Sequence, residues 1–361
     1  MPLPSSGAIS LQDVNVELGV AVTAEISMGQ ASVRTLFAVP SGVIAMSNGY
    51  GKSNRVALSV TYAANSTDQT VNLASLAGYV AGSTDVTITV NADVYVYATA
   101  TTNAGLTITG GAAGDTCALV NNGFILGMGG RGDSYNGDTT RVVGTAGGNA
   151  MSLGRNVTIT NNSYIAGGGG GGAGGQIIAV GGGSYYAGGG GAGGGAGGNS
   201  RHSSLRGAGN ATGGSGGGPN SAGGNAGGFI FAAPGSPGSA GGGGGRILPG
   251  VGGTAPNTST VFAGGGGAGG GGGFGPAIGQ NSQPVGAGWG GGGGGWGASG
   301  GNSLNGGSST TGATGGSANN NGSNGPGTTA QFTGQAGGRA IALNGFTATF
   351  AVQGTVYGAV S

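Results

Sequence analysis

The sequence has little of what enzymes and metal sites need. Its 361 residues include one cysteine, Cys117, and one histidine, His202. An internal disulfide is therefore impossible, and no cluster of Cys and His can hold zinc. Charged residues make up only 5% of the chain, against about 25% in a typical domain. We expect a protein that is not an enzyme and needs no cofactor.

Acidic residues are missing from most of the chain. All nine lie at or before Asp138, whereas six arginines and no acid follow Thr139. The later part therefore cannot form a carboxylate pair for acid–base catalysis or a carboxylate cage for calcium. Its positive charges suggest an anionic partner, but they are too sparse for a nucleic-acid groove.

Long apolar runs are absent as well. No stretch of 18 apolar residues could span a membrane, and Met1-Pro2-Leu3-Pro4 does not start a secretory signal. We therefore expect no membrane insertion. If the protein acts outside a cell, we expect it to arrive there by another route, such as assembly into a particle released by lysis.

Glycine is what the sequence has in excess. The 99 glycines and 11 prolines make up about 30% of the chain. Each glycine within a helix costs about 1 kcal/mol relative to alanine, which argues against a helical protein. The glycines occur in blocks and not at every third position, which excludes collagen.

The first of three parts, residues 1–54, predicts two short helices. These are Gln12–Leu18 with Ser10 as N-cap, and Met28–Phe37 with Ser27 as N-cap. The expected core residues are Val33, Leu36 and Phe37. About 50 residues bury little surface, so we expect this part to dock on another protein.

The second part, residues 55–117, alternates apolar and polar residues with period two. The stripe Val56, Leu58, Val60 and Tyr62 is typical of a strand, as is the stripe Val86, Ile88 and Val90. We predict a short antiparallel β module with a helical turn near Leu73–Tyr79.

The third part, residues 118–361, consists of glycine runs separated by segments of variable length. The runs are Gly167–Gly175, Gly188–Gly198, Gly213–Gly218, Gly223–Gly228, Gly241–Gly245, Gly264–Gly273 and Gly290–Gly295, interrupted only by Ala, Ser or Asn. The sequence Asn121-Asn122-Gly123-Phe124-Ile125 recurs 40 residues later as Asn161-Asn162-Ser163-Tyr164-Ile165. This echo predicts two equivalent turns, each followed by residues that plug a core.

Such composition usually signals disorder, but an ordered alternative exists. Fixing one backbone residue costs about 1–2 kcal/mol, so a lone glycine run cannot stay ordered. Several extended runs of the polyproline II type can, because backbones without Cβ atoms approach closely enough to exchange hydrogen bonds. The glycine runs would then form the scaffold, and the connecting segments would carry the binding site.

The glycine region also resembles a known family. Glycine blocks alternate with variable segments, the motif Asn121–Gly127 precedes them, and the stretches Gly338–Phe346 and Val356–Val360 follow. Together these features resemble the distal tail-fibre adhesins of T-even-like bacteriophages, over about residues 118–361. The resemblance implies a polyglycine-II sandwich whose distal loops bind outer-membrane receptors.

The front of the chain carries a separate resemblance, and it differs from the fibre-capping domain of the T-even-like adhesins, which leaves the point of attachment on the tail open. Residues 1–54 are similar to the N-terminal segments of various phage tail structural proteins, which implies attachment to other tail proteins. Residues 55–117 would connect, and residues 118–361 would bind a bacterial outer-membrane protein or lipopolysaccharide. The protein would then lie in the virion, at the distal end of the tail.

Candidate receptor contacts are Tyr, Trp, Phe, His and Arg residues that flank the glycine runs, because such side chains anchor interfaces. They are Tyr185, Tyr186, Arg201, His202, Arg206, Arg246, Phe274, Trp289 and Trp296. Structural clamping competes with receptor contact for Phe274, Trp289 and Trp296. If alternate runs point in opposite directions, about half of these segments lie at the end away from the receptor.

Other functions remain open at this point. A purely structural tail protein would pack its glycine region against further copies of itself, and an ice-binding bundle would show a regular Gly-x-x period. Arg131-Gly132-Asp133 matches an integrin ligand, although a polar turn explains it better. Gly51-Lys52-Ser53 lacks the earlier glycine of a phosphate-binding loop.

Overall fold

The computed structural model describes most of the chain. The described residues are 3–136, 140–179, 182–204, 207–211, 213–217, 223, 228–229, 238–239, 244, 269, 274–278, 284–305, 313–317, 319–325 and 329–361. This part is mostly β-structure with two short α-helices, as the composition predicts. The chain divides into two compact units, Met1–Val60 with Asn72–Ile88 and Gly110–Ala118, and Thr61–Val71 with Thr89–Thr109 and Leu119–Ser361.

The predicted helices both form; the first lies one residue earlier than predicted, and the second starts three residues later. Helix α1 spans Leu11–Glu17 and begins at Ser10, whose hydroxyl accepts a hydrogen bond from the Asp13 amide while the Asp13 carboxylate accepts one from the Ser10 amide. These hydrogen bonds lower the pKa of Asp13. Helix α2 spans Ala31–Phe37 with Gln30 as N-cap, so the prediction of Ser27 as N-cap is wrong.

The shifted start of α2 follows from the turn before it. The Gln30 amide donates to the Ser27 carbonyl, and Gly29 lies in this turn, where it avoids the cost of a helical glycine. The predicted core is confirmed: Val33, Leu36 and Phe37 are buried together with Leu3 and Val14.

The strands before the long glycine runs are short. They are β1 Val56–Tyr62, β2 Ser66–Thr67, β3 Gln69–Asn72, β4 Thr84–Val90, β5 Tyr95–Tyr97, β6 Leu106–Thr109, β7 Thr116–Asn121, β8 Phe124–Leu126, β9 Ser134–Asn136, β10 Thr140–Val142, β11 Met151–Leu153, β12 Val157–Asn161 and β13 Tyr164–Ala166. A 3₁₀ turn at Leu73–Ser75 lies within the predicted helical turn.

The remaining strands lie within or after the glycine region. They are β14 Gly175–Ala179, β15 Gly182–Tyr186, β16 Ser200–Ser204, β17 Gly207–Ala211, β18 Gly228–Phe229, β19 Gly238–Ser239, β20 Phe274–Ile278, β21 Pro284–Trp289, β22 Ser303–Asn305, β23 Thr329–Phe332, β24 Ile341–Ala342, β25 Ala348–Val352 and β26 Thr355–Tyr357.

Three sheets form a solenoid, because the chain visits them in a repeating order. The first sheet has the order β1-β4-β7-β12-β25, the second β2-β5-β8-β13-β26, and the third β3-β6-β11-β24. Alternate side chains are buried along β4, β6 and β12, which is the period-two pattern of the sequence.

The prediction of an antiparallel β module at residues 55–117 is wrong. Strand β2 pairs with β5 in parallel, and β6 pairs with β11 in parallel. Strands that follow one another in sequence enter different sheets, and each pairs with a strand one turn later. Period-two alternation shows which residues are buried, but it is the same for either direction of pairing.

The register of the second sheet explains the sequence echo. Ser66, Val96, Ile125, Ile165 and Val356 follow one another across its strands. The intervals between them are 30, 29, 40 and 191 residues, so a turn without a long insertion takes about 30 residues. The 40-residue echo is thus one turn of the solenoid.

Stacked side chains link these turns. Asn121 Nδ2 donates to Asn161 Oδ1 at 2.8 Å, and both side chains are fully buried. On neighbouring strands of the second sheet, the ring centroids of Tyr95 and Phe124 lie 4.5 Å apart, and those of Phe124 and Tyr164 lie 5.7 Å apart, with the rings stacked. Equivalent residues therefore support one another directly, which is what repetition in sequence allows in a solenoid.

An ion pair fastens two early strands. Arg55 Nε and Nη2 donate to the two Asp85 carboxylate oxygens at 2.7 and 2.6 Å. This pairing lowers the pKa of Asp85 and raises the pKa of Arg55. The Arg55 side chain is 13% exposed and that of Asp85 is 40% exposed.

Candidate functional site

The glycine region leaves the solenoid at one corner, between its second and third sheets. Residues 127–150 connect β8 to β11, and residues 167–340 connect β13 to β24. We call the described glycine-rich segments at this corner the glycine bundle. They are residues 127–133, 144–148, 167–174, 187–199, 213–217, 290–302, 313–317, 319–325 and 334–338.

The segment 167–174 lies at the centre of the bundle and is hydrogen-bonded to six other segments. They are residues 127–133, 144–148, 187–192, 290–295, 298–301 and 334–338. Each backbone amide from Gly168 to Ala173 donates to one of three neighbours, with N···O distances of 2.8–3.2 Å. Each carbonyl in the same stretch accepts from one of the other three, at 2.7–3.0 Å.

The partners repeat every three residues. The amides of Gly168 and Gly171 donate to segment 144–148, and those of Gly169 and Gly172 donate to segment 187–192. The amides of Gly170 and Ala173 donate to segment 298–301. The central segment therefore has three residues per turn, and all its backbone groups between residues 168 and 173 are paired outside the segment.

Glycine is required here because the backbones are so close. A Cβ atom added at Gly169 would overlap the carbonyl oxygen of Gly294, and one added at Gly170 would overlap that of Gln335. Because the obstacle is backbone on every side, no change of rotamer could make room. The lack of side chains in the glycine runs therefore sets how closely neighbouring segments of the bundle can lie.

The segments alternate in direction between two ends. Residues 167–174 lead from β13 to β14, and residues 187–191 lead back from β15 to Ala192, which packs against Leu126 and Ala166 of the solenoid. We call this the solenoid end of the bundle and the opposite one the far end. Strands β14 to β17 lie at the far end, as do β9 and β10.

Trp296 lies at the solenoid end and is fully buried. It follows the run 290–295 and packs with Tyr95, Leu126, Ala166 and Ala192. Its ring therefore joins the bundle to the second sheet of the solenoid. This burial favours the clamping role that the sequence left open for Trp296.

The far end carries two four-stranded antiparallel sheets. One has the order β14-β15-β16-β17 and the other β20-β21-β22-β23. Strand β14 lies beside β21 and β22, so the two sheets are neighbours. In the bundle, the glycine segments thus end in strands where the sequence predicts loops.

Six of the nine candidate contacts have backbone positions on these strands. Tyr185 pairs with Arg201, His202 pairs with Ser184, and Phe274 pairs with Trp289. Tyr186 is the last residue of β15. The fold thus brings Tyr185, Tyr186, Arg201 and His202 onto adjacent strands, and it places Phe274 opposite Trp289. Arg206 and Arg246 lie outside the described residues.

A buried carboxylate near the far end ties several segments together. Asp133 is fully buried and accepts hydrogen bonds from the amides of Gly144 and Gly174, at 2.5 and 2.7 Å. It also accepts one from Arg141 Nε at 2.7 Å, and the Arg141 guanidinium lies 4.1 Å from the centroid of the Phe332 ring. Asp133 is therefore committed to the bundle and cannot serve as the acid of an exposed Arg-Gly-Asp ligand.

Among the residues that the structure describes, no helix is long and apolar enough to cross a membrane. In the same ranges no group of three or more His, Cys, Asp or Glu side chains comes together in a way that could hold a metal ion.

A family model described as phage tail fibre adhesin Gp38 matches residues 55–245, which is more than half of the chain. The chain belongs to this family. It is a receptor-binding adhesin of the phage tail, and it lies at the distal end of the tail in the virion. The family predicted from the glycine blocks is thereby confirmed.

The family match also covers more than the glycine region. It begins at residue 55 and so includes strands of the solenoid that the sequence resemblance did not reach. Among solved structures, the adhesin is similar to a chain in the crystal structure of the gp37–gp38 adhesin tip complex of the bacteriophage S16 long tail fibre. The identity is 17%, the match covers 97% of this chain and 96% of that one, and the TM-score is 0.41. No curated protein sequence matches the adhesin.

Sequence reasoning missed two parts of the site. The solenoid corner from which the bundle of this adhesin leaves could have been found from the 40-residue echo, had the echo been read as one turn of a repeat. The role of Asp133 had a weaker signal, a single acid inside a glycine-rich stretch. Its partners come from segments far along the chain, and their approach could not be read from spacing.

Proposed function

We propose that this adhesin recognises a bacterial outer-membrane protein or lipopolysaccharide through the strand-borne residues at the far end of the bundle. The glycine segments would form a polyglycine-II sandwich that holds those strands away from the solenoid. The observation that carries the proposal is the pairing of segment 167–174 with six neighbours at a three-residue interval.

This pairing is what polyglycine II requires. A polyproline-II-type helix has three residues per turn and no internal hydrogen bonds, so all its amides and carbonyls point to neighbours. Six neighbours at a three-residue repeat supply a partner in every direction. Each bond contributes only about 0.5–1.5 kcal/mol, but the central segment forms one at every amide and carbonyl from residue 168 to 173.

The far end suits recognition because its strands carry the residue types that commonly anchor interfaces. Tyr and Arg are common interface anchors, and Tyr185 and Arg201 share a register position on neighbouring strands. His202 and Tyr186 lie next to them along the chain. We include Phe274 and Trp289 as a second group on β20 and β21. We leave out Trp296, because a fully buried ring cannot contact a receptor.

Charge supports an anionic component of the receptor. No acid follows Asp138 in the sequence, whereas Arg201, Arg206 and Arg246 lie among the glycine runs. Guanidinium groups pair with phosphate in a planar, bidentate way, and lipopolysaccharide cores carry phosphate. An outer-membrane protein with acidic loops would satisfy the same charges.

The first part of the chain would attach the adhesin to the rest of the tail. Residues 1–54 precede the family match and contain a hydrophobic cluster of their own around Val33 and Phe37. Several apolar side chains of this part are exposed, among them Val43 at 95% and Val16 at 54%. Residues 55–117 would connect this attachment segment to the receptor-binding domain, residues 118–361. The whole function requires no enzymatic step.

Binding of the full-length protein to cells tests the proposal. We would label the protein with a fluorophore and measure binding to the host bacterium, to a strain with truncated lipopolysaccharide and to porin-deletion strains. We expect saturable binding that blocks phage adsorption, and the strain that loses binding identifies the receptor class. Absence of binding by protein shown to be folded would favour a purely structural role in the tail.

Variants locate the contact surface. We expect Arg201→Ala and Tyr185→Ala to weaken binding to cells at least about tenfold, in the range of an interface hot spot. Arg339→Ala is the matched control, because Arg339 is exposed and lies next to the solenoid strand β24. Equal binding by all three variants would place the receptor contact elsewhere.

A further inference from the structure

A cleft lies along one side of the bundle, next to the loop that follows β5. Its volume is about 600 Å³. One wall comes from the end of β5 and the loop after it, with Tyr97 and Thr101, and a second comes from Met128 and Arg131. Thr145, Gly194, Ala196, Gly216 and Gly217 also line it. Neither the family match nor the proposed receptor surface accounts for this space.

Charge in the cleft has one sign. Arg131 is the charged residue of its described lining, which includes no Asp or Glu. The Arg131 side chain is exposed, and its Nη2 donates a long hydrogen bond to the Val143 carbonyl at 3.4 Å. A guanidinium carries five N–H donors in a planar fork, so most of its donors can face a ligand. Arg141, ten residues later, is instead committed to Asp133.

The rest of the lining suits a small hydroxylated molecule. The Thr101 and Thr145 hydroxyls can each donate and accept, and the Thr145 hydroxyl already accepts from the Arg131 amide at 2.9 Å, which fixes its position. The ring of Tyr97 and the side chain of Met128 provide apolar surface. Apolar walls with a few polar groups are typical of small-molecule sites.

The walls of the cleft are held in place before any ligand arrives. The loop that carries Thr101 is fastened by Asp68, whose carboxylate accepts from the Thr99 amide at 2.9 Å and from the Thr99 hydroxyl. On the opposite wall, the amides of Gly129 and Gly130 donate to Gly193 and Gly169 at 3.1 and 2.7 Å. A site with fixed walls loses little conformational entropy on binding.

We propose that this cleft binds an acidic sugar unit, a saccharide that carries a carboxylate or a phosphate. Arg131 pairs with the anionic group, the two threonine hydroxyls pair with sugar hydroxyls, and Tyr97 and Met128 cover an apolar face of the ring. The adhesin then has two sites: the cleft for an acidic sugar and the far-end strands for the receptor.

Saturation-transfer NMR with the full-length protein tests this proposal. The probes are glucuronic acid, which carries a carboxylate, glucose 6-phosphate, which carries a phosphate, and glucose as the neutral control. We expect transfer to one or both anionic sugars and at least about tenfold weaker binding of glucose, because charge-assisted bidentate bonds are the strong ones. Equal binding of glucose, or binding of none of the three, would overturn the proposal. The two anionic probes distinguish carboxylate from phosphate.

Two arginine variants locate the binding. We expect Arg131→Gln to weaken binding of the anionic probe about tenfold without a change in Tm, since the side chain is exposed. Arg339→Gln, an exposed arginine outside the cleft, should leave binding unchanged. If Arg131→Gln binds the probes normally, the site lies elsewhere and the proposal fails.

The outcome can be separated from that of the proposed receptor surface. Arg201→Ala lies on the far-end strand β16 and should reduce binding to cells while probe binding persists. If Arg201→Ala has no effect on cells and Arg131→Gln still abolishes probe binding, the receptor surface is misplaced and the cleft stands. If Arg201→Ala weakens probe binding as much as Arg131→Gln does, the cleft assignment fails.

Discussion

The solenoid and the glycine bundle are stabilised by different parts of the amino acid. In the solenoid, buried side chains such as Leu106, Ile108 and Ile125 fill the space between strands, and each is 0% exposed. In the bundle, the central glycines have no side chain to bury, and six neighbouring segments hold them through backbone hydrogen bonds. The solenoid therefore depends on the packing of apolar side chains, whereas the bundle depends on residues that have no side chain.

The difference teaches which substitutions each region can accept. A solenoid strand tolerates exchange among apolar residues of similar size, since packing sets the cost. A central bundle segment tolerates no added atom at most positions, because the obstacle is backbone that cannot repack. We expect the strands at the ends of the segments to accept more substitutions, because segments that connect scaffold elements vary while the scaffold persists.

The largest expected loss of stability comes from adding a side chain to a central glycine of the bundle, where there is no space for one. Gly170→Val would drive side-chain atoms into the Gln335 carbonyl, so we expect a loss above about 4 kcal/mol, the exceptional range for one substitution. Thermal unfolding and hydrogen exchange of bundle amides would measure it. The control is Gly29→Val, because nothing lies within 4 Å of a Cβ at Gly29. Similar losses in both variants would contradict close packing of the bundle.

The next effect concerns the residue that joins the two regions. Trp296→Ala removes a fully buried ring and should cost about 3–5 kcal/mol. Trp289→Ala, at the far end, should change stability little and should reduce cell binding instead. Chemical denaturation and the cell-binding assay together test this pair. A stable Trp296→Ala protein with lost cell binding would reverse the assignment of the two tryptophans.

A smaller effect is expected within the solenoid from its polar stacking. Asn121→Ala removes the bond to Asn161 and leaves the Gly123 amide without the Asn121 oxygen, so we expect a cost of about 1–3 kcal/mol. The adjacent pair Asn122 and Asn162 makes the same 2.8 Å contact at an exposed position. Asn122→Ala should therefore cost less than about 0.5 kcal/mol. Equal costs in urea unfolding would show that burial does not matter here.

The smallest effect is electrostatic and depends on pH. The pKa of Asp85 is lowered by Arg55 in the folded protein, so this pair stabilises the fold above the unfolded-state pKa of about 3.9. That contribution disappears as the pH falls through the lowered value. We expect Asp85→Asn to cost about 0.5–1 kcal/mol at pH 7, since Asp85 is 40% exposed, and almost nothing at the lowest pH. A cost that stays constant with pH would exclude the ion pair as its source.

Much of the local structure was predictable from the residues. Ser10 was predicted as the N-cap of α1, and period-two alternation predicted which residues of β4 are buried. The partner of each strand was not predictable, because the alternation in β6 is the same whether the neighbouring strand runs parallel or antiparallel. Only the echo between Asn121 and Asn161 carried information on pairing, since stacked turns place equivalent residues together.

The types of residue at the candidate site could be predicted from the sequence, but their positions in the fold could not. Flanking aromatic and Arg residues could be chosen from the sequence, but Trp289 and Trp296 look alike there, seven residues apart beside one glycine run. The structure separates them, because the run 290–295 leads from β21 at the far end to the solenoid end. The direction in which a glycine segment crosses the bundle is set by the fold and cannot be predicted from the composition of the segment.

By itself, the sequence determined the class of the protein and the kind of residue from which each region is built. Glycine blocks argue against helices, and an ordered glycine block requires close backbone packing. Tertiary structure alone decided that segment 167–174 lies at the centre, that Asp133 is buried and that Trp296 faces the solenoid. The physical reason is that glycine runs are locally identical, so their order in space is fixed only by contacts between residues distant in sequence.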